Sequence, residues 1–204
     1  WLQQLSVSPN SVVGGNSSVG RVRLLQNAPA GGVVVGLATD GSGLASVPSS
    51  VTVPEGQDTA TFTITTTGTN TAREVPINAS LLGVGLSQSL RISQASLITM
   101  TFSPDRVAAQ NSTVGKVTLD GAAGSSFRVI LSHNGGQGYR FDRNYIDFQP
   151  GDRERTFTFF TGPESSTVTR RVTASRAAQN GYPASTISGT VFVDAFSVTG
   201  LSLN

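Results

Sequence analysis

Short runs of alternating apolar and polar residues recur along the chain, separated by clusters of turn-forming residues. The clearest are Thr61-Phe62-Thr63-Ile64-Thr65 and Thr156-Phe157-Thr158-Phe159-Phe160. A period of two puts Phe62 and Ile64 on one face, and Phe157 and Phe159 likewise, as in a strand buried on one side. Phe160 follows inward Phe159 and is expected to point out. Leu5 with Val7 and Met100 with Phe102 mark a half-buried first strand. Pro9 and Pro104 end it, because proline has no N–H for the ladder.

The next strand holds Val22 and Leu24, or Val117 and Leu119, on its inner face. A third runs through Val33, Val35 and Leu37, and through Phe127, Val129 and Leu131. A short fourth leads into the turns at Gly56 and Gly151. The last two are Val75–Leu81 with Ser87–Ile92, and Val168–Ser175 with Thr186–Val193.

These elements come in two sets held in one register. Ninety-five residues separate Pro9 from Pro104, Gly20 from Gly115, Gly56 from Gly151 and Phe62 from Phe157. Such self-similarity marks a structural repeat. About seven short strands per repeat, with no sustained helical period, predict an all-β chain. The expected architecture is two tandem immunoglobulin-like antiparallel β-sandwich domains. The first repeat covers 1–94 and the second 95–195. Residues 196–204 match the segment Ala95–Ser103, which opens the second repeat, so they read as a strand equivalent to the start of a third.

Val198, Leu201 and Leu203 are the apolar positions of that strand. Two readings are open for it: the cut end of a longer array, or a donor strand that completes a sheet in a neighbouring subunit.

The succession SPNSVVGG, VGRVRL, NAPAGGVVVGL, VPSSVTVPEG and TATFTITTT resembles the bacterial immunoglobulin-like repeats of large cell-surface and secreted proteins. The likeness covers nearly all of the first repeat. In the second, Gly121-Ala-Ala-Gly124 stands as a degenerate counterpart of the APAGG hairpin. The resemblance implies an extracellular, bacterial, structural or adhesive setting. It implies no catalytic residues and no cofactor, and its partners would be neighbouring repeats or other copies of the chain.

Composition narrows the chemistry. Charged residues make up 13% of the chain, there are 23 glycines, and cysteine is absent. Disulfides and thiolate chemistry are thereby excluded. The sequence pI of about 9.5 rests on 14 basic against 12 acidic groups. Thirteen of the basic residues are arginine, and none lies in a run longer than Arg170-Arg171. A nucleic-acid groove requires a clustered basic stripe with stacking aromatics, which this pattern lacks. No segment reaches the roughly 20 apolar residues of a membrane-spanning helix.

His133 is the sole histidine, so neither a triad nor a two-histidine metal site can be built on it; a partly exposed strand position is expected. Asp142, Asp147, Asp152 and Glu154 cluster in sequence but read as solvated turn and edge charges. Lys116, the counterpart of Arg21, alternates outward from Val117, which disfavours a buried lysine crosslink. Asn16-Ser-Ser, Asn78-Ala-Ser and Asn111-Ser-Thr are formal glycosylation sequons, also explained by turn chemistry.

One asymmetry stands out. Of 14 aromatic residues, only Trp1 and Phe62 precede position 100. The second repeat carries Tyr139, Arg140, Phe141, Arg143 and Tyr145 in one short segment, with outward Phe160 nearby. Tyr, Arg and Asn together suit contact with a glycan or cell-surface protein. The alternative is packing of a core extended around a longer loop. The functional expectation is a non-enzymatic structural or adhesive repeat unit, with a carbohydrate-binding or adhesin accessory module as the alternative.

Overall fold

The computed structural model describes residues 1–196; Val198, Leu201 and Leu203 lie outside the described residues. All regular structure among them is β. The chain divides into two compact units. Unit 1 comprises Trp1–Ala95 together with Gly121–Ser125, and unit 2 comprises Ser96–Asp120 and the chain from Ser126 onward.

Unit 1 contains β1 (Leu2–Ser8), β2 (Ser11–Val13), β3 (Ser18–Leu24), β4 (Val33–Ala38), β5 (Ala45–Ser46), β6 (Ser50–Val53), β7 (Thr59–Thr66), β8 (Arg73–Leu81) and β9 (Val84–Ser93). They form a four-stranded sheet, β1-β3-β7-β5, and a five-stranded sheet, β2-β9-β8-β4-β6. Unit 2 contains β10 (Leu97–Ser103), β11 (Arg106–Ala108), β12 (Ser112–Leu119), β13 (Phe127–His133), β14 (Arg140–Phe141), β15 (Tyr145–Phe148), β16 (Glu154–Phe160), β17 (Val168–Arg176) and β18 (Ser185–Asp194). Its sheets, β10-β12-β16-β14 and β11-β18-β17-β13-β15, repeat the same plan. This is the immunoglobulin-like sandwich.

The alternating faces bury as expected. Val22, Ile64, Val117 and Phe159 are fully enclosed, with Phe62 and Phe157 beside them. The sheets are not purely antiparallel, however. β2 pairs in parallel with β9 and β11 with β18, so the first and last strands of each five-stranded sheet run together. The chain reaches this arrangement by turning after β1 and β10, where the Ser8-Pro9 and Ser103-Pro104 peptide bonds are cis.

The residues common to both repeats hold this plan together. Gly20 lies opposite Phe62, and Gly115 opposite Phe157, on adjacent strands. A Cβ added at Gly20 would fall 2.1 Å from the Phe62 ring, and one at Gly115 would fall 2.2 Å from the Phe157 ring. The missing side chain is what lets each ring lie flat over its neighbour's backbone. The buried Ser18 hydroxyl donates to the Pro9 carbonyl at 2.6 Å, and the buried Thr113 hydroxyl donates to that of Pro104. Thr66 and Thr161 tie equivalent turns through the Asn16 and Asn111 carbonyls.

Candidate contact surface

The segment between β13 and β15 carries four of the residues singled out from the sequence, Tyr139, Arg140, Phe141 and Arg143. It is no longer than its counterpart. Six residues, Thr39–Leu44 and Asn134–Tyr139, precede β5 and β14 respectively. The register is also the same: Ser46 pairs with Thr65, and Arg140 with the matching Phe160. Arg140 therefore turns outward like Ser46, while Tyr139 and Phe141 turn inward like Ala45 and Val47. What differs is the size of the inward side chains.

Tyr139 and Phe141 belong to the interior. Tyr139 is buried, its ring 5.8 Å from that of Phe159, and Phe141 lies 5.2 Å from the same ring. His133, half-buried at the end of β13, completes the group 5.3 Å from Phe141 and 5.6 Å from Phe159. Its Nδ1 is enclosed without a hydrogen-bond partner.

The Tyr139 hydroxyl donates to Glu164 Oε1 at 2.6 Å, and Arg170 pairs with the same carboxylate. Arg170 also stands over the Tyr139 ring at 5.2 Å. Burial, then the bond to Glu164, pushes the Tyr139 pKa up. The Tyr139 hydroxyl and the Arg170 guanidinium hold Glu164 below the usual carboxylate range.

Arg140, Arg143, Tyr145 and Phe160 face outward, but not as one patch. Arg140 stacks over Phe160 at 4.4 Å on the outer side of the four-stranded sheet. Beside them lies a depression of about 280 Å³ that also takes in Gly138 and Pro163. Tyr145 lies on edge strand β15 of the other sheet, its ring under the Arg128 guanidinium at 3.9 Å. A second depression, about 240 Å³, is lined by Asp142, Arg143, Tyr145, Asp147 and Arg155.

The four clustered carboxylates are each engaged. Asp147 pairs with Arg128 at 2.7 Å, which lowers its pKa. Asp152 accepts from Arg155 Nε at 2.7 Å, and Glu154 pairs with Lys116 at 3.2 Å. Asp142 accepts the Thr158 N–H at 3.0 Å. Three of the four are paired with cationic side chains, and the fourth with a backbone N–H.

Sequence reasoning missed Arg176. It is the bulkiest fully buried side chain, and its guanidinium lies 4.8 Å from the Phe127 ring and 4.7 Å from that of Tyr182. Burial pushes its pKa down, while Tyr182 and Asp120 oppose the shift. Repeat counting sets it opposite Leu81, so an arginine at an apolar inward position was the available signal.

No family model and no curated protein matches the chain. Among solved structures, it is similar to titin domains A168–A170, with 12% identity over 91% of the chain and a TM-score of 0.43. The chain spans about 62% of the length of that titin fragment. It is also similar to domains 4 and 5 of the S-layer protein SbsC, at 11% identity, 96% and 99% coverage of the two chains and a TM-score of 0.36. The class 5 fimbriae chaperone CfaA gives 12% identity, 92% and 99% coverage and a TM-score of 0.32.

Proposed function

We propose that the chain is a pair of load-bearing, non-enzymatic sandwiches from an extracellular bacterial surface protein or fibre. The observation that carries this reading is the parallel pairing of the second strand of each repeat with its last, β2 with β9 and β11 with β18. Tension applied along the chain pulls β2 and β9 in opposite directions. Their hydrogen bonds then carry load together in shear instead of opening one at a time. The residues kept between the copies support the same reading. Gly20/Phe62, Gly115/Phe157, Ser18/Pro9 and Thr113/Pro104 all serve to hold the sheets, and none is placed for chemistry.

Single-molecule extension tests it. Pulled from its ends, the chain should unfold in two events, each releasing roughly 30 nm of contour length, as expected for about 95 residues of extended chain. Val12→Pro and Val107→Pro, which put a non-donor into β2 and β11, should each lower the force of one event. Forces unchanged by both substitutions would refute the reading.

A second reading has its own observation. Tyr145 and Arg143 border the depression of about 240 Å³, a mixed aromatic and charged lining suited to a glycan or protein loop. Glycan-array binding lost in Tyr145→Ala and Arg143→Ala would establish it. Tyr139→Ala is the wrong probe, because that ring is interior.

A further inference from the structure

The backbone seams that join the ends of each repeat are the same in both. β2 meets β9 in three register pairs, Ser11 with Arg91, Val12 with Ile92 and Val13 with Ser93. β11 meets β18 in the three equivalent pairs, Arg106 with Phe192, Val107 with Val193 and Ala108 with Asp194. The flanking bonds also correspond. The Arg91 N–H donates to the Asn10 carbonyl at 2.9 Å, and the Phe192 N–H to that of Asp105 at 2.8 Å. The Gly14 N–H donates to the Ser93 carbonyl at 2.9 Å, and the Ala109 N–H to that of Asp194 at 2.9 Å. β1 holds β3, and β10 holds β12, through six pairs each, with a register shift at the same place. A difference between the two seams therefore lies in their side chains.

In unit 2 an ion pair crosses the seam. Arg106 opens β11 and Asp194 closes β18. Arg106 Nε donates to both carboxylate oxygens of Asp194, at 2.9 and 3.1 Å, and its Nη2 donates to Oδ1 at 2.8 Å. The hydroxyl of Thr167, just before β17, donates to the same Oδ1 at 3.2 Å. The guanidinium also stands over the Phe192 ring at 5.9 Å. The hydrogen bonds between the pair raise the Arg106 pKa and lower that of Asp194, so both groups are charged across the neutral range.

Unit 1 places its ion pair elsewhere. Ser11 and Ser93 stand where unit 2 has Arg106 and Asp194, and the Ser93 hydroxyl makes a long, neutral bond to the Val12 carbonyl at 3.3 Å. Arg91, at the position of Phe192, pairs with Glu74 at 3.7 Å. Glu74 lies opposite it on β8. β8 and β9 are the two arms of one hairpin, so this pair does not tie β9 to β2. Those are the strands that tension draws past each other.

The side chains of Arg106 and Asp194 are 57% and 41% exposed. At equilibrium such a pair adds little, because water and salt compete with it. Under shear the seam cannot open until all bonds across it part together, and charge-assisted bonds are the stronger ones.

We propose that the Arg106–Asp194 pair sets the order of extension, so that unit 1 yields first and unit 2 holds. The inference rests on the load-bearing reading and adds which repeat gives way. Unit 1 then supplies the extension, while outward Arg140, Arg143, Tyr145 and Phe160 stay on a folded sandwich.

Extension of the whole chain at constant force tests it. Wild type should show one short-lived and one long-lived unfolding event, and Val12→Pro and Val107→Pro identify which belongs to which repeat. Asp194→Asn and, separately, Arg106→Gln should shorten the unit 2 lifetime roughly threefold or more, the scale of an exposed ion pair expressed as a rate. Their urea midpoints should stay close to wild type, which separates a lost seam contact from a damaged fold. Arg106→Asp combined with Asp194→Arg should recover part of the lifetime. Ser11→Arg combined with Ser93→Asp, which installs the pair in unit 1, should lengthen the shorter event. Equal lifetimes in wild type, a longer event that belongs to unit 1, or a unit 2 lifetime unmoved by Asp194→Asn would overturn the proposal. That last result, beside events weakened by each proline, would leave the load-bearing reading standing. Events unmoved by both prolines would sink the two together.

Discussion

Where unit 1 fills its core with Val7, Val33, Val53 and Ile64, unit 2 places Phe102, Phe127, Phe148 and Phe159 at the matching positions. The strand plan is the same, so the larger rings are accommodated by how they meet. Phe127 stacks on Phe148 at 5.0 Å, and Phe102 meets Phe157 edge-on at 5.9 Å. Leu81 of unit 1 gives way to Arg176, whose guanidinium lies over two rings. A sandwich can therefore be built on aliphatic interdigitation or on ring contacts without changing its topology. Geometry common to both is carried by a few residues, chiefly the glycine under each central phenylalanine.

The sharpest break in this comparison is at that phenylalanine. Phe157→Ala should cost unit 2 about 3–5 kcal/mol, the range for emptying a buried aromatic site. Phe62→Ala should sit at the low end of that range. Phe157 also supports Phe102 and Phe141, while Phe62 is the sole aromatic of the unit 1 core. Equal losses in calorimetric unfolding would show that the ring contacts add nothing beyond burial.

Arg176 ranks next. Arg176→Ala should destabilise unit 2 by about 2–4 kcal/mol through the cavity it leaves. Arg176→Met should recover most of that, since the stem volume returns and no charge needs to be desolvated. Denaturant midpoints decide between the two. If methionine is as damaging as alanine, the stacking of the guanidinium, and not its volume, is what the core depends on.

The strands that alternate over five or more residues were legible, because one buried face imposes period two. β2, β5, β11 and β14 were not: two or three residues cannot display a period, and a parallel neighbour leaves no sequence mark of its own. At the contact segment, Tyr139 and Phe141 alternate about Arg140, which was a legible signal for an inward pair. Their composition argued for a surface and hid it. The outward placement of Phe160 followed directly from inward Phe159. Val75–Leu81 and Ser87–Ile92 leave a turn between them, but the left-handed Leu82 at its tip emerges only beside Asn180-Gly181. Arg176 was legible only in part: repeat counting against Leu81 places it at an inward position, but nothing local shows that rings distant in sequence will enclose its guanidinium.

A smaller effect should be equal in the two repeats. Ser18→Ala and Thr113→Val each remove a buried hydroxyl that donates to a proline carbonyl. Each should cost about 1–2 kcal/mol, the loss of one hydrogen bond with its acceptor left behind. Equality in urea unfolding would show that this pin is independent of the aliphatic or aromatic core around it. A difference would mean that the core sets how far the first strand can relax.

The smallest effect belongs to unit 2 alone. Glu164 and Arg170 replace Thr69 and Val75 of the first repeat, and they enclose the Tyr139 hydroxyl. Because the folded-state pKa of Glu164 is depressed, its contribution is present above its ordinary value of about 4.5. It is lost as pH falls through the lower folded value. The unit 2 transition should therefore weaken on acidification, and less so in Glu164→Gln. Some slope will persist in that variant, since Asp147 and Asp194 are shifted in the same direction by Arg128 and Arg106. Thermal midpoints between about pH 3 and pH 6 separate these contributions, the window that linkage assigns to depressed carboxylates. A Glu164→Gln profile that parallels wild type would show that the Tyr139 bond stabilises both charge states of the carboxyl equally.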